Sequence, residues 1–170
     1  IGHKFVEKII NLKNKENFLI TQNIDGLHQR SGVPKDKIIE IHGNATEARC
    51  LNCGEKANIL DFHAAIKTNN PLPKCSNCDG IVKVATISFG QPMNENDMLQ
   101  ASNISSQCDL MIVMGSSLSV MPAGQIPNLA IKSGAKLVIL NREETIYDAM
   151  ADIVINDELE IICGELIKLI

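Results

Sequence analysis

Phe18-Leu19-Ile20-Thr21-Gln22-Asn23-Ile24-Asp25-Gly26-Leu27-His28 changes character at its centre, where a short apolar run gives way to amides, a carboxylate and a glycine. Phe18 to Thr21 is too short for a core helix and reads as a strand buried on both faces. The same figure returns along the chain. Ile38 to Ile41 is followed by His42-Gly43, Leu110 to Met114 by Gly115-Ser116-Ser117, and Leu137 to Leu140 by Asn141-Arg142-Glu143, while Ile153 to Ile155 supplies a fifth strand. Between these runs the apolar spacing turns helical. His3 to Leu12 places Phe5, Ile9 and Leu12 on one stripe, and Asp157 to Leu169 does so with Leu159, Ile162, Leu166 and Leu169. Met121 to Ser133 predicts a third helix, with Pro122 suited to a first turn and Pro127 kinking the helix or delaying its start. Strands alternating with helices imply an α/β chain with a Rossmann-like parallel sheet.

In such a sheet, ligands bind beyond the carboxyl ends of the strands. Gln22, Asn23 and Asp25 offer amide donors, amide acceptors and a carboxylate there, which suits a ligand with sugar and amide groups. A capped turn leading into a helix, with Asp25 satisfying backbone N–H groups, accounts for them equally well. His42 follows a strand in the same way, and a histidine so placed can act as a base near neutral pH, with Gly43 allowing a sharp turn. His3, His28 and His63 lack that placement and read as packing or surface residues. Gly115, Ser116 and Ser117 allow close approach of a phosphate or ribose, and Asn141 or Glu143 can bind ribose hydroxyls. Each cluster alone is a weak signal. Four of them at successive strand ends converge on one crevice.

Residues 44 to 83 break the rhythm. They hold Cys50, Cys53, Cys75 and Cys78 in two Cys-x-x-Cys pairs, with Asn69, Asn70, Pro71 and Pro73 forming a loop between them. Four thiolates grouped this way suit a tetrahedral Zn²⁺ with no open position, hence a structural metal. Two disulfides or four unrelated thiols are the other readings, and disulfides need an oxidising compartment. A segment this small lacks the apolar material for its own core, so zinc would supply the missing stabilisation of an inserted zinc ribbon. Cys108 and Cys163 are expected outside that site. The net charge of −4 offers no basic stripe for nucleic acid and better suits a basic protein substrate. No apolar run approaches the roughly 20 residues of a membrane span. Nothing resembles a secretory signal, and the expected location is cytoplasmic.

Read in order, TQNIDGLH (Thr21 to His28), IHG (Ile41 to Gly43), the two CxxC pairs, SFGQ (Ser88 to Gln91), GSSLSVMPA (Gly115 to Ala123) and NRE (Asn141 to Glu143) resemble the motif set of the sirtuins, NAD-dependent protein-lysine deacylases. The resemblance implies that His42 is the general base and that Gln22, Asn23, Ile24 and Asp25 bind the nicotinamide-ribose side of NAD. It further implies that Gly115, Ser116, Ser117, Asn141, Arg142 and Glu143 bind the adenosine side, with Leu159 near the adenine. An acylated peptide would pair as a strand between the SFGQ and SLSV segments, which assigns Ile87, Phe89, Gly90 and Val120 to the peptide cleft and acyl-lysine channel. Residues 1–43 and 84–170 then form the NAD-binding domain, and 44–83 the zinc module. Gln91, Ser116 and Val84 depart from the family's usual Glu, Thr and Pro without removing a catalytic group. The family's glycine-rich first strand and pyrophosphate loop have no counterpart here, so a partial Rossmann domain with little activity of its own is expected.

The implied chemistry starts with attack of the acyl-lysine carbonyl oxygen on the nicotinamide ribose and release of nicotinamide. His42 then takes a proton from a ribose hydroxyl, which attacks the imidate-type intermediate, and water completes release of deacylated lysine and O-acyl-ADP-ribose. NAD is consumed as a co-substrate. Two other readings compete: a protein mono-ADP-ribosyltransferase using the same cleft, and a zinc-ribbon module without catalysis.

Overall fold

The computed structural model of the chain describes residues 1–62, 72–88 and 90–170. The first half contains α1 (Gly2–Ile10), β1 (Leu19–Thr21), α2 (Leu27–Ser31), β2 (Ile38–Glu40), β3 (Gly43–Cys50), β4 (Lys56–Asn58) and β5 (Val82–Thr86). The second half contains α3 (Glu95–Ser105), β6 (Leu110–Met114), α4 (Ile126–Lys132), β7 (Lys136–Leu140), β8 (Ile153–Ile155) and α5 (Leu159–Leu166). His63, Phe89 and the loop residues Asn69, Asn70 and Pro71 lie outside the described residues.

The parallel strands divide into two sheets, β1-β2 and β6-β7-β8. Their registers set Thr21 beside Glu40, and Met114 beside Leu140 beside Ile155, so each polar cluster begins where the ladders stop. Ile39 and Ile41 bury against Ala101, Ala123 and Ile126, with Ile20 and Met111 packed around them, and this shared core knits the two sheets. A second core under β6 and β7 holds Val113, Leu118, Leu137, Ile139 and Tyr147. Leu137 and Ile139 are fully buried because β7 has a neighbour on each side. Each such side chain contributes about 1.5–3 kcal/mol.

Four expectations from the sequence need correction. First, burial on both faces fails for β8 and for the start of β6, where Ile153, Ile155 and Leu110 are exposed; both strands are sheet edges, and nothing among the described residues covers them. Second, α1 ends at Ile10, so Phe5 and Ile10 form its buried face while Leu12 lies past the end in solvent. Third, α5 ends at Leu166 and leaves Leu169 exposed. Fourth, the helix expected from Met121 begins at Ile126. A 3-10 turn over Ala123–Gln125 precedes it, and Pro127, which has no N–H to lose, falls in its first turn.

Helix α3 has no strong apolar stripe and is not among the helices read from the sequence. Its signal is the cap: the Asn94 side chain accepts from the N–H groups of Asn96 (2.9 Å) and Asp97 (3.2 Å), with Glu95 and Asp97 in the acid-favouring first turn. Its buried face is small, Ala101 and Ser105. His28, on α2, is buried, its ring 4.6 Å from that of His3 on α1. Burial, followed by the charge of His3, holds the pKa of His28 below the ordinary value, so it serves packing in its neutral form.

Candidate active site and metal centre

At the end of β1 the chain turns sharply. Thr21 Oγ1 accepts from the Asn23 N–H at 3.0 Å, Asp25 Oδ1 accepts from the Leu27 N–H at 2.9 Å, and Gly26 takes a left-handed φ of 68°. Asp25 therefore does cap the turn, while Asn23, Ile24 and Asp25 remain exposed above the strand end. Gln22 reaches across, its Nε2 donating to Ser116 Oγ at 3.3 Å, and so joins the end of β1 to the end of β6.

His42 sits beside this turn, with Nδ1 3.3 Å from the Gln22 carbonyl oxygen. A carbonyl can only accept, so Nδ1 carries the proton and the lone pair is left on Nε2, the atom a general base needs. The His42 carbonyl accepts from the Ile87 N–H at 2.9 Å, which seats the start of the SFGQ segment against the histidine. Gly43 has φ 76°, and a Cβ there would lie 2.0 Å from the Ala85 carbonyl oxygen. Gly43→Ala is therefore expected to cost at least about 1–3 kcal/mol in left-handed strain alone, with the backbone clash added to it. A lowered urea midpoint with an unchanged m-value would report this. A wild-type midpoint would show that the turn opens freely.

The second half of the site is a cavity of about 300 Å³ lined by Gly115, Ser117, Asn141, Arg142, Glu143, Glu158 and Leu159. Asn141 is buried and fixed on three sides: its Nδ2 donates to the Glu143 carbonyl (2.7 Å), its N–H to the Ile155 carbonyl (3.2 Å), and its carbonyl accepts from Asn156 Nδ2 (3.1 Å). Arg142 pairs with Glu143 at 2.9 Å and Glu158 at 3.4 Å across the mouth. These pairs are exposed and contribute little stability. Gly115 takes a left-handed φ of 60°, which favours glycine, and a Cβ there would come 2.7 Å from Leu159 Cδ1, a side-chain end that can shift. Glu158 is a lining residue that sequence reading missed, although it follows the strand Ile153–Ile155 just as the other clusters follow theirs.

The residues assigned to a peptide are less closely gathered. Ile87 is half-buried beside His42, Gly90 is exposed with φ 81°, Val120 is exposed in the segment after β6, and Phe89 lies outside the described residues. Gln91, the departure from the family's Glu, accepts from the Ser88 N–H (3.2 Å) and from Lys83 Nζ (3.0 Å), and so closes the SFGQ turn.

The metal centre stands on the antiparallel sheet β4-β3-β5. The sulfurs of Cys50, Cys53, Cys75 and Cys78 all lie within 4.8 Å of one another, with Cys50 to Cys78 at 3.6 Å and Cys53 to Cys75 at 3.7 Å, and all four thiols are free. Tetrahedral Zn–S bonds of about 2.3 Å place sulfurs about 3.8 Å apart, so this donor set fits structural zinc. The Cys53 and Asn52 N–H groups, with the neighbouring sulfurs, draw Cys50 down to about 6. The Glu55 N–H favours the Cys53 thiolate, yet the Cys78, Cys50 and Cys75 sulfurs and burial push Cys53 up to about 12. A bound cation would offset the repulsion between neighbouring thiolates. The supporting core among the described residues has Ala48, Cys50, Cys75 and Val82 buried, with Ile59 and Phe62 packed against them. Cys108 and Cys163 lie outside this group, Cys163 in the main core.

The Sir2 family model matches residues 1–122. Over 141 residues the chain is 49% identical to NAD-dependent protein deacetylase 1 of Bradyrhizobium diazoefficiens, covering 83% of this chain and 55% of that protein. Among solved structures, "Sir2-p53 peptide-NAD+" superposes with a TM-score of 0.88 at 34% identity, covering 99% of this chain and 68% of the other. "Structure of Sir2Tm bound to a propionylated peptide" does so with a TM-score of 0.88 at 34% identity, covering 99% and 69%. The chain spans about half the length of the curated relatives it matches. A family model matched over most of the chain, a relative at 49% identity and the same fold throughout establish that the chain belongs to the Sir2 family.

Proposed function

We propose that the protein carrying this chain removes acetyl or other acyl groups from protein lysine with consumption of NAD, giving nicotinamide and O-acyl-ADP-ribose. The observation that carries the proposal is the continuous polar track along the strand ends. His42 meets the Gln22 carbonyl, and Gln22 meets Ser116, at the edge where the cavity bounded by Asn141 and Leu159 also opens. Curated relatives are named NAD-dependent protein deacetylase, and solved relatives hold NAD+ or an acylated peptide.

In this reading Asn23, Ile24 and Asp25 face the nicotinamide ribose, and His42 Nε2 takes the proton from a ribose hydroxyl. Gly115, Ser116, Ser117, Asn141, Arg142, Glu143 and Leu159 hold the adenosine side. Ile87, Phe89, Gly90 and Val120 flank an acyl-lysine, whose neutral amide tolerates an apolar channel that would penalise a free ammonium. Residues 1–43 and 84–170 act as the NAD-binding part, and 44–83 as the zinc module. Bound zinc would serve structure alone, since Cys50, Cys53, Cys75 and Cys78 fill a tetrahedral shell. No described helix is long and apolar enough to cross a membrane, and a reduced four-thiol site suits the cytoplasm.

The test is mass analysis of an acetylated peptide incubated with the complete protein, with and without NAD. Loss of the acetyl group only when NAD is present is the expected result. A peptide that keeps its acetyl group while the protein or peptide gains ADP-ribose would favour the transferase reading instead.

A further inference from the structure

We infer that Asn44 and Glu40 are positioning residues for His42, acting as a side-chain clamp that closes the chain around the histidine; this rests on the proposed role of His42 as base. Glu40 ends β2, Asn44 is the second residue of β3, and His42 lies midway between them. Asn44 Nδ2 donates to Glu40 Oε1 at 2.7 Å, which shuts a five-residue loop with His42 at its centre. The same Glu40 oxygen accepts from Gln29 Nε2 of α2 at 2.8 Å. At the other end of its amide, Asn44 Oδ1 accepts from both the N–H and the hydroxyl of Thr46, each at 2.6 Å. A single carboxylate oxygen thus ties together the end of β2, the start of β3 and helix α2. Bonds of this kind to an ionised acceptor are the stronger class.

The turn needs such a restraint. Gly43 gives the backbone its left-handed conformation but has no side chain to fix the loop, and the His42 ring has one 3.3 Å contact to the Gln22 carbonyl. The Ile87 N–H pins the His42 carbonyl, and the clamp fixes the loop through its side chains. The Asn23–Asp25 turn is held separately, by a backbone bond in which the Ala45 N–H donates to the Ile24 carbonyl at 2.7 Å. Asn44 is only 7% exposed, yet it and Glu40 border a cavity of about 350 Å³ rather than a packed apolar core. Substitutions there remove hydrogen bonds without leaving a hole in the hydrophobic interior.

The experiment compares kcat and KM for NAD and for acetylated peptide in the complete protein and its variants. Asn44→Asp sets two carboxylates against each other at the 2.7 Å contact and should lower kcat about 10- to 100-fold, the scale of a displacement near 1 Å in a catalytic group, with KM changed less than about 3-fold. Glu40→Gln keeps the Oε1 acceptor and should stay within about 5-fold of wild type. In the double variant Asn44→Asp with Glu40→Gln, the amide at position 40 turns its N–H₂ toward the carboxylate at position 44, the Gln29 amide turns over so that its oxygen accepts from the same N–H₂, and kcat should return to the Glu40→Gln level. Because the clamp acts through the base, Asn44→Asp should slow acyl-peptide-dependent nicotinamide release less than deacylation. A wild-type kcat in Asn44→Asp, or a folded double variant as slow as the single, overturns the clamp. If Asn44→Asp does not fold, the double variant decides: recovered turnover supports the clamp and slow turnover overturns it. His42→Ala run in parallel separates the two levels. An inactive His42→Ala beside a fully active Asn44→Asp removes the clamp alone, whereas a fully active His42→Ala removes the role of the base and the clamp with it.

Discussion

His42→Ala in the complete protein is expected to lower NAD-dependent deacylation about 10²- to 10⁴-fold, the usual cost of losing a general base. The structure supplies the reason for so large an effect. Nδ1 is committed to the Gln22 carbonyl, so Nε2 is the nitrogen free to take a proton, and the Ile87 N–H holds the backbone of the same residue. The loss should fall on kcat, because the imidazole has no role in holding either substrate's far end. Nicotinamide release should survive in part, since attack by the acyl oxygen precedes the proton transfer in the implied sequence. Steady-state deacylation of an acetylated peptide measures the first effect, and free nicotinamide the second. Full deacylation by the variant would falsify the role assigned to His42.

Removal of zinc is expected to be nearly as damaging, by a different route. Among the described residues the module's own core holds two aliphatic residues and two of the cysteines, with Ile59 and Phe62 alongside, too little to fold by burial alone. Zinc binding in comparable small modules is worth about 10–16 kcal/mol at neutral pH, so chelation or Cys50→Ser should unfold this sheet. The effect should reach the candidate active site, because β3 spans from Gly43, next to His42, to Cys50 at the metal, with a register shift against β5 between Gly43 and Ala48. Acid should mimic chelation: thiolates bind zinc and thiols do not, so affinity falls as pH falls and the ligands protonate. The check is metal content by mass spectrometry alongside activity, before and after a chelator. Loss of zinc with full activity retained would show that the module does not support the site.

Much of this architecture is legible in the chain. The parallel strands stand out because buried runs such as Leu137 to Leu140 have no polar residue, and the abrupt change at Gln22, His42, Gly115 and Asn141 marks their carboxyl ends. The zinc site is legible because paired cysteines at that spacing have few other uses. What escaped the sequence has local physical causes. Helix α3 buries only small residues, so its periodicity is faint and its cap at Asn94 is the stronger sign. Ile153 and Ile155 look like core but lie in an edge strand, and composition does not distinguish an edge from a centre. The clamp of Glu40 and Asn44 is invisible until the chain folds back, because it depends on the left-handed turn at Gly43. Glu158 lies three residues past the end of β8, and its place in the cavity lining depends on how the chain turns there into α5.

The central claim is that the clusters at Asn23, His42, Ser116 and Asn141 form one NAD site. A crystal structure of the complete protein with NAD and an acetylated peptide tests it most directly. Adenosine is expected in the cavity between Gly115, Asn141 and Leu159, and a ribose hydroxyl of the nicotinamide half within hydrogen-bond distance of His42 Nε2. Density for NAD that leaves either His42 or Asn141 without contact would contradict it.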